Sequence, residues 1–212
     1  MESKNQEVLL INGEALTGSQ IVGVAREMIS VEVGEKAIKK IQLARDVINE
    51  RFETGEPTYG INTGFGALST TVISKEQCSQ LQINLLRSHA ASVGDPLDTE
   101  LVRGMMVLLI ASLSRGHSGV RPIVVTTLAQ MLNANIIPTI PSRGSVGASG
   151  DLSPLSHLAL VLCGEGEAIF NNEKMTGKKA MSQAEIIPIQ PIEKEGLALI
   201  NGTHLMSSIA AI

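Results

Sequence analysis

Residues Gly144–Leu160 read GSVGASGDLSPLSHLAL. Three glycines, Gly144, Gly147 and Gly150, fall within seven positions, and Ser149 stands between Ala148 and Gly150. The run then passes directly into an apolar pattern at helical spacing. Ser153 and Pro154 predict an N-cap and a first helical residue for a helix over Leu155–Cys163. A hydrolase elbow, G-x-S-x-G, would need glycine where Asp151 stands, so a serine nucleophile is disfavoured. Ala-Ser-Gly offers a different chemistry. Glycine nitrogen is the least hindered backbone nucleophile, and glycine permits bends that other residues resist. Attack of the Gly150 nitrogen on the Ala148 carbonyl would close a five-membered ring. Loss of that water, and of the Ser149 hydroxyl as a second, would leave an exocyclic methylidene. Such a group is an electrophile, whereas unmodified Ser, His, Tyr and Asp are nucleophiles, acids or bases. On spacing alone this reading stands beside a plain glycine-rich turn before a helix, which is the commoner use of such a run.

The other glycine-rich segments carry no nucleotide signature. Gly64-Phe65-Gly66-Ala67-Leu68-Ser69 has Ser69 at the third glycine of a dinucleotide fingerprint and no buried strand before it. Gly177-Lys178 is followed by Lys179 rather than Ser or Thr, so it is not a P-loop. Around these loops the pattern is mainly helical with a few short strands. Val8–Ile11 predicts a strand ending at Asn12-Gly13. Thr17 and Gln20, then Ser74 and Gln77, have capping-box spacing, the second opening a helix through about His89. Glu35–Phe52 carries Ile38, Ile41, Ala44, Ile48 and Phe52 on one face, with Gly55 ending the helix. Asp98–Ser114 is apolar around much of its circumference and is expected to be buried. Pro122 fits the first turn of a helix running to about Asn133. Pro138 and Pro141 forbid helix in IIPTIPSRG. EAIFNNEKM predicts a hairpin turning at Asn171-Asn172. Glu195–Ile212 is expected to be helical in part. HLMSSIAAI closes with no cap, glycine or charged tail, which predicts a chain cut inside an element.

Of the 212 residues, 43% are hydrophobic and 18% charged, which describes a globular chain. A net charge of −4, with no basic stripe, argues against a nucleic-acid surface. The longest apolar run, Met105–Ala111, is too short to span a bilayer. The polar start, MESKNQEVLLINGE, has no signal-peptide core, so a soluble cytoplasmic protein is expected. Cys78 and Cys163 sit among apolar residues and read as free buried thiols, with no metal-ligand spacing of Cys and His. Tyr59 is the single tyrosine. It lies in a loop, where it is not core filler.

GSVGASGDLSPLSHLAL resembles the signature of the histidine and aromatic amino-acid ammonia-lyase family. TYGINTGFG, NLLRSHAASVGDP, GHSGVRP and EGLALINGT resemble further family blocks, in the family's order, and the resemblance runs from about Val8 to the last residue. It implies the N-terminal part of the ammonia-lyase (fumarase/aspartase-like) helical fold, residues 1–212 forming one domain without the C-terminal helical bundle. It also implies that Ala148, Ser149 and Gly150 cyclise into 4-methylidene-imidazol-5-one (MIO), with Asp151 assisting assembly and no metal or nucleotide. Tyr59 matches the tyrosine that removes the substrate β-proton, which calls for an electropositive setting that lowers the phenol pKa. Asn201 matches the asparagine near MIO and substrate, and Gly66 falls in the substrate-binding block.

His89 shares a helical stripe with Leu81 and Leu85, where a histidine is most often a hydrogen-bonded core residue. Through the resemblance it occupies the substrate-selectivity position, and Ser88-His89 is similar to histidine-specific members. Tyrosine-specific members can carry histidine there too. His204 departs from the glutamine usual after NGT in those members. His117, His157, Arg121 and Arg143 read as structural, the arginines as loop anchors or ion pairs.

The implied reaction is elimination of ammonia from L-histidine to give trans-urocanate, MIO improving the leaving group while Tyr59 takes the β-proton. A tyrosine or phenylalanine ammonia-lyase, or an aminomutase, would use the same group. A catalytically incomplete fragment or scaffold is the reading from another class. The family's sites combine several chains of a homotetramer, so these 212 residues alone are expected to be inactive. The expected partners are a small amino-acid substrate and further copies of the chain, with no nucleic acid and no membrane.

Overall fold

The structure is a computed structural model and describes residues 7–64, 73–146 and 150–212. It is mainly helical with short strands, as the patterning predicts. The core is organised around α4 (Thr99–Leu113), whose Val102, Met105, Met106, Val107, Leu109 and Ile110 are fully buried. A helix apolar on all sides has to be covered on all sides. α1 (Gly18–Arg26), α5 (Pro122–Asn133) and α9 (His204–Ala211) cover it. Each buried Met, Leu or Ile contributes about 1.5–3 kcal/mol of hydrophobic free energy.

Arg103 is the exception on α4, a cation at 2% exposure. Its Nε donates to Val24 O at 3.0 Å, and its Nη1 to Leu132 O and Asn135 Oδ1, both at 3.0 Å. It therefore binds the carboxyl ends of α1 and α5, where unpaired carbonyls and the helix dipoles favour positive charge.

The local signals are largely realised. Thr17 and Gln20 form a complete capping box on α1. α2 (Glu35–Glu53) ends with Gly55 at φ +69°. Pro122 is the first residue of α5. β6 (Glu167–Phe170) and β7 (Glu173–Thr176) form the hairpin, with Asn171 and Asn172 at φ +52° and +62°. Two consecutive left-handed residues suit a two-residue primed turn, and asparagine tolerates that conformation.

Other expectations are corrected. Ser74 is the N-cap of α3 (Lys75–His89), but its side chain makes no cap hydrogen bond. α6 (Leu152–Leu162) starts earlier than predicted, with Asp151 rather than Ser153 at the N-cap. The Ser153 hydroxyl is engaged elsewhere, as described below. The strand at Val8–Ile11 (β1) is found as predicted, but it pairs in parallel with β2 (Ser30–Val33), which has no turn signal. β3 (Val93–Pro96) pairs antiparallel with β5 (Pro141–Arg143), and β4 (Ile137–Pro138) joins β6. α7 (Gly177–Gln183), capped by Thr176, also lacked a clear signal. The last helical stretch is divided into α8 (Glu195–Ile200) and α9 by Asn201-Gly202-Thr203.

Candidate active site

The loop before α6 ends in a backbone that only glycine fits well. Gly150 is buried at φ +84°, in the left-handed region, and an added Cβ would lie 2.5 Å from Met206 Sδ. Its carbonyl accepts from Val146 N at 2.8 Å, closing the loop on itself. Asp151 is fully buried. Its Oδ1 accepts from Ser145 Oγ at 2.8 Å and its Oδ2 from Met206 N at 3.0 Å. Met206 N is one of the unpaired donors in the first turn of α9, so Asp151 caps a helix remote in sequence from it.

The segment leading to α9 is held by three consecutive residues. Glu193 Oε2 pairs with Arg45 Nη2 of α2 at 2.7 Å, both side chains at 5% exposure or less. Lys194 takes a left-handed backbone at φ +68° and donates from Nζ to Ser118 O at 2.7 Å. Burial lowers its pKa below the ordinary lysine value. Glu195, fully buried, accepts two side-chain bonds and one backbone bond from Arg121, and a further backbone bond from Ile192. That hydrogen bonding raises the Arg121 pKa further, against the effect of burial. Arg121 is thus the expected ion pair. α8 starts from this clamp and ends at Asn201, which is exposed. The His204 ring folds back onto Gly202. Burial lowers the His204 pKa, the charge of Asp151 acting in the opposite sense.

His89 ends α3 half-buried. Its Nδ1 lies 2.9 Å from Leu85 O and 3.0 Å from Ser88 Oγ; a carbonyl oxygen can only accept, so this contact favours a proton on Nδ1. The chain leaving α3 is tied to α6. Ser153 Oγ accepts from Ala91 N at 3.1 Å and meets Ser92 Oγ at 2.6 Å. β3 then pairs with β5, which leads into Gly144. His89 and the Gly150 loop therefore belong to one cross-linked region.

Tyr59 is placed differently. It is 56% exposed, on a turn held by Asn62, which accepts from Thr58 N at 2.7 Å and donates to Glu56 O at 2.9 Å. The turn rests on the start of α3, where Cys78 Sγ meets Ile61 O at 3.8 Å. From Cys78 to His89 the helix rises about 16 Å. Gly66, Ala148 and Ser149 lie outside the described residues. The described end of the Ala-Ser-Gly triplet is compatible with a cyclised group: position 150 has a left-handed backbone that suits glycine, and the Met206 thioether lies where a Cβ would be.

His117 is exposed in the turn after α4, and Arg143 is exposed in β5. His157 is half-buried on α6, and burial lowers its pKa. Cys78 and Cys163 are not joined to each other in a disulfide. Cys163 is partly rather than fully buried, and burial, with Glu165 and Glu195 adding to it, pushes its thiol up to about 12. Among the described residues no helix is long and apolar enough to cross a membrane, and no cluster of three or more His, Cys, Asp or Glu could hold a metal. The sequence reading missed Ser145, Ser153 and the Met206 amide as partners of the loop. A serine six residues before Asp151 is a weak local signal, and a backbone amide in another helix gives none.

Comparison with known proteins identifies the family and the fold. Residues 16–212 match the family model described as aromatic amino acid lyase. Histidine ammonia-lyase of Alkaliphilus oremlandii is 48% identical over 204 residues, 96% of this chain and 40% of that protein. The crystal structure of histidine ammonia-lyase from Trypanosoma cruzi superposes with a TM-score of 0.89 at 38% identity, over 96% of this chain and 40% of that one. Tyrosine aminomutase from Streptomyces globisporus superposes at 0.88 with 37% identity, over 96% of this chain and 38% of that one. The chain thus spans about 40% of the curated relatives it matches, and its fold is the N-terminal part of the ammonia-lyase and aminomutase fold. With the family model covering nearly its whole length, the chain belongs to the aromatic amino acid lyase family.

Proposed function

We propose that the full-length protein containing this chain is an ammonia-lyase that converts L-histidine to trans-urocanate and ammonia. Its prosthetic group is MIO, formed from Ala148, Ser149 and Gly150. The observation that carries this reading is the Gly150–Asp151 junction: a left-handed glycine covered by the Met206 thioether, beside a buried carboxyl group bonded to Ser145 and Met206 N. Ring formation requires two dehydrations and no oxidant. The Gly150 nitrogen bonds to the Ala148 carbonyl carbon, and that oxygen leaves as water with the Gly150 and Ser149 amide protons. The Ser149 hydroxyl then leaves with its own α-proton as the second water.

The finished group supplies an electrophile. The chain's own side chains bind, orient and move protons. Tyr59 is the base for the substrate β-proton, and Asn201 and Gly66 contact the substrate. His89 presents Nε2 as an acceptor to an N–H of the substrate imidazole, because Leu85 O holds the Nδ1 proton. Histidine as substrate is supported by His89 and by relatives of 42% to 48% identity named histidine ammonia-lyase. The working enzyme is a cytoplasmic homo-oligomer, expected to be a tetramer. The 212-residue chain by itself is expected to show no turnover.

The test is the intact mass of the full-length protein followed by product analysis with L-histidine, L-tyrosine and L-phenylalanine. A mass lower by two waters, localised to a peptide containing Ala148–Gly150, with urocanate as product, supports the proposal. A cinnamate-type acid would move the assignment to tyrosine or phenylalanine, and a β-amino acid would make it an aminomutase. An unmodified mass in the folded protein would leave a scaffold.

A further inference from the structure

We propose that Ser153, paired with Ser92, is a positioning residue for His89. The two hydroxyl groups hold the turn that ends α3 against the start of α6, and so set where His89 stands relative to the Gly150–Asp151 junction. That His89 meets the substrate rests on the proposed function; that these hydroxyl groups hold the turn does not.

A serine in the first turn of a helix ordinarily bonds to its own helix or to water. Ser153 instead reaches residues 61 and 62 positions away. Its Oγ accepts from Ala91 N at 3.1 Å and lies 2.6 Å from Ser92 Oγ, at the short end of the range for a hydroxyl pair. Ser92 is buried, so its hydroxyl would be costly to leave unpaired. Gly144 also packs against Ser92, where a Cβ would collide with the hydroxyl. The turn after α3, the start of α6 and the entry to the glycine-rich loop thus meet at two serine side chains.

The turn is a tight one. Ala90 has φ −76° and ψ +62°, an inverse γ-turn, and Ala91 N donates to His89 O at 2.8 Å. That same N–H is shared with Ser153 Oγ. His89 is the last residue of α3, and helix ends fray unless they are held from outside. Its ring meets Leu85 O and Ser88 Oγ, both on α3, so it moves with the end of that helix. Ser153 follows Asp151 by two positions in α6. The bond to Ala91 therefore carries the placement of the junction across to His89.

The experiment uses the full-length protein with Ser153→Ala and Ser92→Ala, each alone and combined with His89→Ala. Three quantities are read: double dehydration by intact mass, kcat and KM for the amino acid the wild type turns over, and amide hydrogen exchange of a peptide covering residues 89–92. Ser153→Ala is expected to raise KM and speed exchange by about tenfold, the size of one lost hydrogen bond, with dehydration complete. In the His89→Ala background the same substitution should change KM by less than about twofold, because the two residues act through one contact. An unchanged KM in active Ser153→Ala protein, or the same rise with and without His89, would overturn the proposal. Should Ser153→Ala fail to fold, Ser92→Ala is read by the same measures. If the wild type turns over none of L-histidine, L-tyrosine and L-phenylalanine, or if His89→Ala keeps a wild-type KM, the proposed function or its assignment of His89 fails by itself. The exchange rates then decide the positioning role, faster exchange in Ser153→Ala supporting it and an unchanged rate overturning it.

Discussion

The Gly150–Asp151 junction and the Tyr59 turn belong to the same proposed site, yet they are held in opposite ways. Asp151 is fully buried and bonded to Ser145 and to Met206 N in another helix. The following turn is bonded through Ser153 to Ala91 and Ser92. Tyr59 is 56% exposed, and its turn is stitched by bonds among Glu56, Thr58 and Asn62. A group built from the backbone needs a fixed cradle, and here that cradle comes from helices far apart in the sequence. A side-chain base needs only to be presented, and a local turn can do that.

The largest effect that would sharpen this contrast is chemical. Tyr59→Phe in the full-length protein is expected to lower kcat by about 10²–10⁴, the usual contribution of a general base. A wild-type kcat would remove Tyr59 from the reaction. Next is Asp151→Ala, which leaves Met206 N and the Ser145 hydroxyl without their acceptor. It should lower stability by about 1–3 kcal/mol in chemical denaturation and leave the mass undiminished by water. Full stability with full dehydration would show that the cradle does not depend on this carboxyl group. Asn62→Ala removes two bonds from the Tyr59 turn and is expected to cost about 1 kcal/mol, with dehydration intact. Loss of dehydration in that variant would break the distinction between the two regions.

The smallest effect is in the pH dependence. His157 and His204 have pKa values lowered by burial, so the unfolded chain binds more protons than the folded one between the folded and unfolded values. Stability should therefore rise with pH through that window. The contribution is fully present above the unfolded value of about 6.5 and lost as pH falls through the folded values. Denaturation midpoints taken between pH 5 and 7.5 should show the slope. Its His204 share should vanish in His204→Gln, and an unchanged slope would place the titration elsewhere.

Much of the fold was legible because its signals are local. The Thr17–Gln20 box, the Asn171-Asn172 turn, Pro122 at the head of α5 and the all-round apolar α4 each depend on residues within a turn or two. The start of α6 was misplaced for the opposite reason. Ser153 looks like a cap in isolation, but Ser92, distant in sequence, claims its hydroxyl. β2, β3, β4 and β5 are short, and their pairing is decided by partners that no local pattern names. Arg103 sits inside an apolar helix because the carboxyl ends of α1 and α5 happen to meet there.

By itself, the sequence determined the helical class, the bounds of the elements with strong local signals (β1, α2, α3, α4, α5 and the β6–β7 hairpin), and the triplet Ala148-Ser149-Gly150. Periodicity, caps and turn residues act over a few positions, so they survive without knowledge of the rest of the chain. Only the tertiary structure decided that Asp151 caps α9 and that Met206 closes over Gly150. Those contacts join residues more than 50 positions apart, and such pairing is set by packing the whole core rather than by any local preference.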